Sequence, residues 1–483
     1  MQKFLKKYQT MSTPAKAGLW FVVCSCFQSG IKFLSLPIFA NIMTVDDYGT
    51  VTLYTSWMSV IFIFATLALG RANGVFYVAM VRYPDDKDVF TTAMQGLTVV
   101  LCVISFILID LSTLIFGDWM SIGVSQYNAM CIDLIGYGIM LLWSLRMRYD
   151  YQYRPLLLIT FIYSASTIFI PVLGVVFCPD GISPADMKNW CGAIASFLVG
   201  MVTLFHSLKK SRKLVNLKYW KFAFSFNLPL IPHYLSNVIL VQSDRIMIAE
   251  IVSKTAAAIY NVAYTLGVAA QVITQALINA VNPWMYQKMS KGEGNTVRKA
   301  IYPLLALVAV LIIGICLVMP EIFTIVFPEK YSEALDVIPP VAAGVLWAFI
   351  FNMYASIELY FSGNKLVSLS SFTGAAINII MNLWLIPIFG FVAAAYTTLL
   401  SDIIYAFMHT LFAKMLLRKN MPDTDVIPFV PVWAIGIVST LCCFCILLLY
   451  PYPVVRYIAV FIVLTVCFIK RRSIKKVLKF KSK

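Results

Sequence analysis

Residues 89–116 read VFTTAMQGLTVVLCVISFILIDLSTLIF, with Asp110 as the one charged side chain. As a helix rising 1.5 Å per residue, such a run is longer than the roughly 30 Å hydrocarbon core of a bilayer. Working outward, similar runs occur at 17–42, 50–70, 122–145, 155–177, 190–208, 224–251, 257–286, 300–327, 335–361, 366–389, 391–413, 428–449 and 454–469. Between them, 71–88 is too short and too charged to span, and the other joins are brief and carry turn residues such as Pro179-Asp180-Gly181 and Ser362-Gly363-Asn364. The expectation is an all-α integral membrane protein with about fourteen transmembrane helices.

Composition agrees. Hydrophobic residues make up 60% of the 483 and charged residues only 12%, where a soluble domain carries roughly 25% charged residues. Lipid must therefore act as the solvent. Lys3, Lys6, Lys7 and Lys16 precede the first apolar run. That run is too long for a signal-peptide core and no A-x-A-like site follows, so it reads as an uncleaved first helix.

The formal charge of +16 invites a nucleic-acid reading, and its distribution argues against one. With the N-terminus inside and the spans alternating, the inside joins hold 32 Lys and Arg residues and the outside joins only Lys188, Lys254 and Lys330. This asymmetry is a topology signal, and it places both termini in the cytoplasm. Most of the eleven cysteines sit inside apolar runs as small hydrophobes. Cys178 and Cys191 alone flank a loop, which leaves a disulfide open there. The three histidines, His206, His233 and His409, lack ligand spacing with any cysteine, so no metal is expected, and no cofactor either. His233 and His409 receive no role.

The longest inside loops, 209–221 and 414–427, divide the chain into blocks of six, six and two helices: 1–220, 221–418 and 419–483, the last with a basic tail. The first two blocks show a faint likeness. A Tyr-containing start follows the first and seventh spans, and small residues open the sixth and twelfth (Gly192-Ala193-Ile194-Ala195; Ala393-Ala394-Ala395). Transporters are often built from such repeats.

Three stretches carry a family resemblance: Leu36-Pro37-Ile38-Phe39-Ala40 with Asp47-Tyr48-Gly49; Ser243-Asp244-Arg245-Ile246-Met247-Ile248 with Ile259-Tyr260-Asn261-Val262-Ala263-Tyr264; and Gly374-Ala375-Ala376-Ile377-Asn378 with Asn382 and Ile386-Pro387-Ile388-Phe389-Gly390. In this order they resemble the bacterial polysaccharide flippases, the Wzx-type members of the MOP or MATE-like exporter superfamily. The resemblance implies two six-helix lobes around a central cavity, two further C-terminal helices, and alternating access in the bacterial inner membrane. It implies as substrate an oligosaccharide on a polyprenyl pyrophosphate, moved from the inner to the outer leaflet. Membrane lipids and other polysaccharide-assembly membrane proteins would be its partners.

Charges inside spans cost about 2.5–3.5 kcal/mol near the bilayer centre on insertion scales and tend to mark pathways. Lys32, in the first span, reads as a cavity cation meeting the diphosphate, or as a lysine that snorkels or pairs with an acid such as Asp133. Asp244 and Arg245 are adjacent, so they point about 100° apart; one can face the cavity while the other ties helices together. Arg71 either guides the diphosphate at the entrance or stops the second helix. Glu358 and Asp402 are candidate carboxylates for proton or sodium coupling, with polar packing as the alternative. Asn378 and Asn382, four apart, share a face suited to hydrogen bonds between helices, with a cavity role as the other reading. Asn227, Pro229 and Pro232 open the seventh span as a hinge or as a plain helix start.

Two other functions stay open beside the flippase. One is a cation-coupled drug or metabolite antiporter of the MATE-like branch. The other is a membrane glycosyltransferase or polysaccharide polymerase, which the short outer loops disfavour. The absence of the pattern G-x-x-x-x-G-K-[ST] disfavours ATP hydrolysis by this chain.

Overall fold

A computed structural model describes residues 12–70, 75–422 and 426–469. Helices form nearly all of it. They are α1 (Thr13–Ile42), α2 (Val45–Ala65), α3 (Val75–Arg82), α4 (Lys87–Phe116), α5 (Val124–Tyr149), α6 (Tyr153–Val176), α7 (Pro184–Leu208), α8 (Leu217–Asn227) and α9 (Ile231–Ile251), followed by α10 (Lys254–Gly267), α11 (Gln271–Ser290), α12 (Gly294–Val326), α13 (Ile338–Tyr360), α14 (Asn364–Phe389), α15 (Val392–Asn420), α16 (Phe429–Leu448) and α17 (Pro453–Ile469).

Among the described residues, 12 segments are long and apolar enough to cross a membrane, with α10 and α11 forming one of them. The remaining two expected spans are α9, whose 21 residues carry Asp244, Arg245 and Glu250, and the shorter α17. The charged stretch after the second span holds only the eight-residue α3.

Local chemistry explains several boundaries. Thr44 caps α2 by accepting from the Asp47 amide at 3.1 Å, Ser183 caps α7 ahead of Pro184, and Ser253 caps α10 through the Ala256 amide at 3.1 Å. The α7 cap starts that helix early enough to bring Lys188 into it rather than leaving it in a loop. A 3-10 turn at Leu228–Leu230, containing Pro229, separates α8 from α9. A second at Val268–Ala270 separates α10 from α11. Short 3-10 segments within a helical run often mark hinges.

The chain forms two compact units, Met1–Gln242 and Ser243–Lys483, and the division falls within α9. In the first unit α5 packs most extensively on α7, and α7 also on α6; in the second, α13 packs on α15, and α15 on α14. These are the fourth, fifth and sixth spans of each six-helix block, so the same pairing occurs twice. In the first unit the α5–α7 crossing brings backbones together. A Cβ on Gly136 would lie 2.5 Å from the Phe197 Cα and amide nitrogen, and one on Gly200 would lie 2.5 Å from the Gly136 carbonyl oxygen. The second unit has a long apolar core of α11, α12, α13, α15 and α16 side chains. α16 joins it through Trp347 Nε1, which donates to Thr440 Oγ1 at 3.0 Å.

Cys178 and Cys191 are free thiols. Cys178 Sγ donates to the Ile182 carbonyl at 3.3 Å, and Cys191 lies against Met187 Sδ.

Candidate functional site

Asp244 in α9 is 1% exposed, where an unpaired carboxylate would be costly. Three side chains from three helices satisfy it. Its Oδ2 accepts from Tyr260 Oη at 2.6 Å and Thr398 Oγ1 at 2.7 Å, and its Oδ1 accepts from Asn382 Nδ2 at 2.7 Å. Thr397 in turn donates to Asn382 Oδ1. Asn378 accepts from Ser243 at 3.3 Å and donates to Thr398 Oγ1 at 3.1 Å. Asn378 and Asn382 thus make hydrogen bonds between helices, α14 to α9 and α15. The neighbouring Arg245 is also buried, and it turns elsewhere. Its Nε donates to Asn261 Oδ1 at 2.8 Å, and its guanidinium lies 4.4 Å from the centroid of the Tyr264 ring.

Further along α15, His409 meets Glu358 of α13, a partner that the sequence did not foreshadow. Glu358 Oε1 lies 2.7 Å from His409 Nδ1, and both side chains are 0% exposed. Asp402 is half-buried, with Oδ2 2.9 Å from the place a Cβ on Gly344 of α13 would take. No hydrogen bond to Asp402 is found among the described residues.

The first unit presents its charges differently. Lys32, in the middle of α1, is exposed, with its carbonyl accepting from Ser35 Oγ at 2.7 Å. Its ammonium acts electrostatically on Asp133 of α5, as does that of Lys188 of α7. Among the described residues, neither lysine closes an ion pair with that acid within 4 Å. Lys188 rests over the Phe39 ring, 4.9 Å from its centroid. Tyr54 and Tyr163 lie within electrostatic reach of the same carboxylate. Two cations thus share one acid, and an anionic group entering there would meet charge that is not locked in a tight pair. Arg71 lies outside the described residues.

The model of a family described as "Polysaccharide biosynthesis protein" matches residues 15–289, more than half of the chain. The chain belongs to this polysaccharide biosynthesis protein family. The match spans Lys32, Asp133, Lys188, Asp244 and Arg245, while Asn378, Glu358, Asp402 and His409 lie beyond it. Three solved structures share the fold. A lipid II flippase MurJ in an inward closed conformation is 14% identical with a TM-score of 0.62, over 94% of this chain and 100% of that one. An inward-facing multidrug resistance MATE family transporter of the MOP superfamily is 12% identical with a TM-score of 0.61, over 84% and 99%. A MOP superfamily transporter from Pyrococcus furiosus is 9% identical with a TM-score of 0.56, over 84% and 95%. None of the curated proteins matches the sequence. This member of the polysaccharide biosynthesis protein family is thus a multi-pass membrane protein with the MOP-superfamily fold.

The residues missed in the sequence are Lys188, Tyr54 and Tyr163 in the first unit, and Tyr260, Tyr264, Thr398, Tyr405 and His409 in the second. One signal was available. Hydroxyl and imidazole side chains inside spans, four apart in Tyr260 and Tyr264, need partners in lipid as much as charges do.

Proposed function

We propose that this protein moves a polyprenyl-pyrophosphate-linked oligosaccharide from the inner to the outer leaflet by alternating access, with both termini in the cytoplasm. The observation that carries the reading is Lys32, a cationic residue in the middle of an apolar 27-residue span, whose charge and that of Lys188 both act on Asp133. A pyrophosphate must leave water to cross, and fixed cations replace part of its solvation. An ammonium locked in a tight ion pair would be less available for this. Loose pairing also lets the headgroup leave, since two dispersed lysines bind less tightly than a dense cluster. The family's role in polysaccharide biosynthesis and the fold shared with a lipid II flippase support the same reading. The 3-10 breaks at Leu228–Leu230 and Val268–Ala270 are the hinges this motion would use. Arg245 adds a third cation, and Glu358 and Asp402 are the acids for a coupling cation.

The test is export in a strain lacking the natural copy. Lys32→Ala lowers surface polysaccharide while protein abundance stays near normal, and Lys32→Arg largely restores it. Arg245→Ala lowers abundance as well, because Asn261 and Tyr264 lose their buried partner. Normal export by a well-expressed Lys32→Ala, Arg245→Ala double variant overturns the proposal. Reporter fusions after residue 184 read outside, and those after 214 and 480 read inside.

A further inference from the structure

One polar stripe runs along α15. Thr398, Asp402, Tyr405 and His409 follow at spacings of four, three and four, which places them on one helical face over about 16 Å at 1.5 Å per residue. Thr398 bonds to Asp244, Tyr405 shares a 2.6 Å hydrogen bond with Ser371 of α14, and His409 meets Glu358 of α13. The Tyr405 ring lies 4.6 Å from the imidazole centroid, and Phe351 stacks on the same imidazole at 21°.

The Glu358–His409 pair is only half satisfied. Glu358 Oε2 and His409 Nε2 are buried and have no hydrogen-bond partner among the described residues. Buried polar atoms of this kind are rare and call for an explanation. An ion pair kept only to hold α13 and α15 together would serve better with these two atoms bonded. Protonation chemistry accounts for them. With a neutral imidazole and an ionised carboxyl the pair carries one net negative charge in an apolar setting. Adding one proton brings it to zero, as imidazolium with carboxylate or as imidazole with carboxylic acid. A hard cation such as sodium takes oxygen ligands in number, and here a nitrogen faces one carboxylate. No group of three His, Cys, Asp or Glu able to hold a metal occurs among the described residues.

The surroundings contain few competing charges. α15 itself supplies Asp402 and Tyr405 on the same face, and Lys414, whose ammonium lies 4.6 Å over Phe429. α13 adds Tyr354 and Tyr360, α11 adds Tyr286, whose ring lies tilted against Tyr360 at 5.5 Å, and α14 adds the exposed Lys365. α16 contributes no charged side chain, only cysteines. Asp402 is the one acid on the stripe with accessible surface and no hydrogen bond among the described residues, which suits it to take a proton from water. Tyr405 stands between it and His409, within the field of both Asp402 and Glu358.

We propose that Glu358 and His409 form a proton-binding site in the second unit, loaded from Asp402 on the same face of α15. That the proton drives transport rests on the flippase reading; that it binds here does not. The test is infrared difference spectroscopy of the full-length protein in lipid vesicles, stepping between neutral and acid buffer without substrate. The wild type is expected to show a carboxyl band and an imidazole band that change together. Glu358→Gln loses both changes, His409→Gln shifts the carboxyl change, and Asp402→Asn keeps both but slows their appearance after a pH jump. If Glu358→Gln fails to fold, Glu358→Asp serves, and its carboxyl band must move. Unchanged bands in the Glu358 variants overturn the proposal, as does a wild type lacking them, or one in which sodium at fixed pH erases them. Because no substrate is present, a failed export test leaves these spectra standing, and the reverse.

Discussion

The two units use the same helix pairing and opposite strategies for their polar groups. In the first, the α5–α7 crossing is closed by backbone against backbone at Gly136 and Gly200, and the charges around Asp133 stay loosely held: Lys32 is exposed, Lys188 and Asp133 half-buried. In the second, the α13–α15 crossing gives its glycine space, at Gly344, to a carboxylate. There Asp244 is sealed among Tyr260, Thr398 and Asn382, and Glu358 is sealed against His409. A repeated fold can thus specialise its halves. Where glycine provides the close packing, charges are left for a visitor; where side-chain hydrogen bonds provide it, the charges become structure or a protected store for a proton.

The largest effect that could break this contrast comes from Asp244→Ala. It strands the Tyr260 and Thr398 hydroxyls and the Asn382 amide, and each buried orphan costs about 1–3 kcal/mol. Folded protein, followed by fluorescence-detected gel filtration, should nearly vanish, while Asp244→Asn should be milder. An Asp244→Ala variant as stable as the parent would show that the second unit's network does not hold it together.

Next comes a pair of glycine substitutions. In Gly136→Ala the new methyl meets the Phe197 backbone at 2.5 Å, so α5 and α7 must part, at about 1–3 kcal/mol. In Gly344→Ala it meets only a carboxylate oxygen at 2.9 Å, and Asp402 can swing aside. The first should lower the melting temperature clearly more than the second. Equal losses would remove the distinction between backbone and side-chain closure.

Lys188→Gln is expected to be smaller still for stability, since it forfeits a cation–aromatic contact of about 0.5–1 kcal/mol, yet to lower polysaccharide export at normal abundance. A fall in abundance instead would mean that the first unit's charges are structural too.

The smallest effect lies outside the spans. Lys288 donates to Glu293 Oε2 at 2.6 Å, and this hydrogen bond, with the nearby lysine charges, holds the Glu293 carboxyl below its ordinary range. The stabilisation is therefore complete above that ordinary range and disappears as the pH falls through the lowered value. Glu293→Gln should leave the melting temperature at neutral pH almost unchanged and slightly flatten its decline in acid.

What the sequence determined by itself is what the solvent dictates. Lipid demands long apolar helices and leaves charges in the joins, so span positions could be read from a line of residues, with α9 and α17 the least apolar or shortest. The prolines at 229 and 232 marked a place where the helix is interrupted by a 3-10 turn at Leu228–Leu230, since a ring without an N–H removes a donor from the backbone ladder. Asn378 and Asn382 announced an interhelical face by their spacing alone. Tertiary structure decided the partners. His409 is a lone imidazole in an apolar run until the rotation of α13 brings Glu358, 51 residues earlier, to 2.7 Å. Asp244 and Arg245 are neighbours in the chain and both reach α10, yet only Asp244 also bonds to α14 and α15, and Lys188 moved from an expected loop into a helix over Phe39. Periodicity tells which face of a helix is polar. Which polar atom it meets depends on the crossing and rotation of helices far apart in sequence, and those are set by side-chain packing across the whole unit.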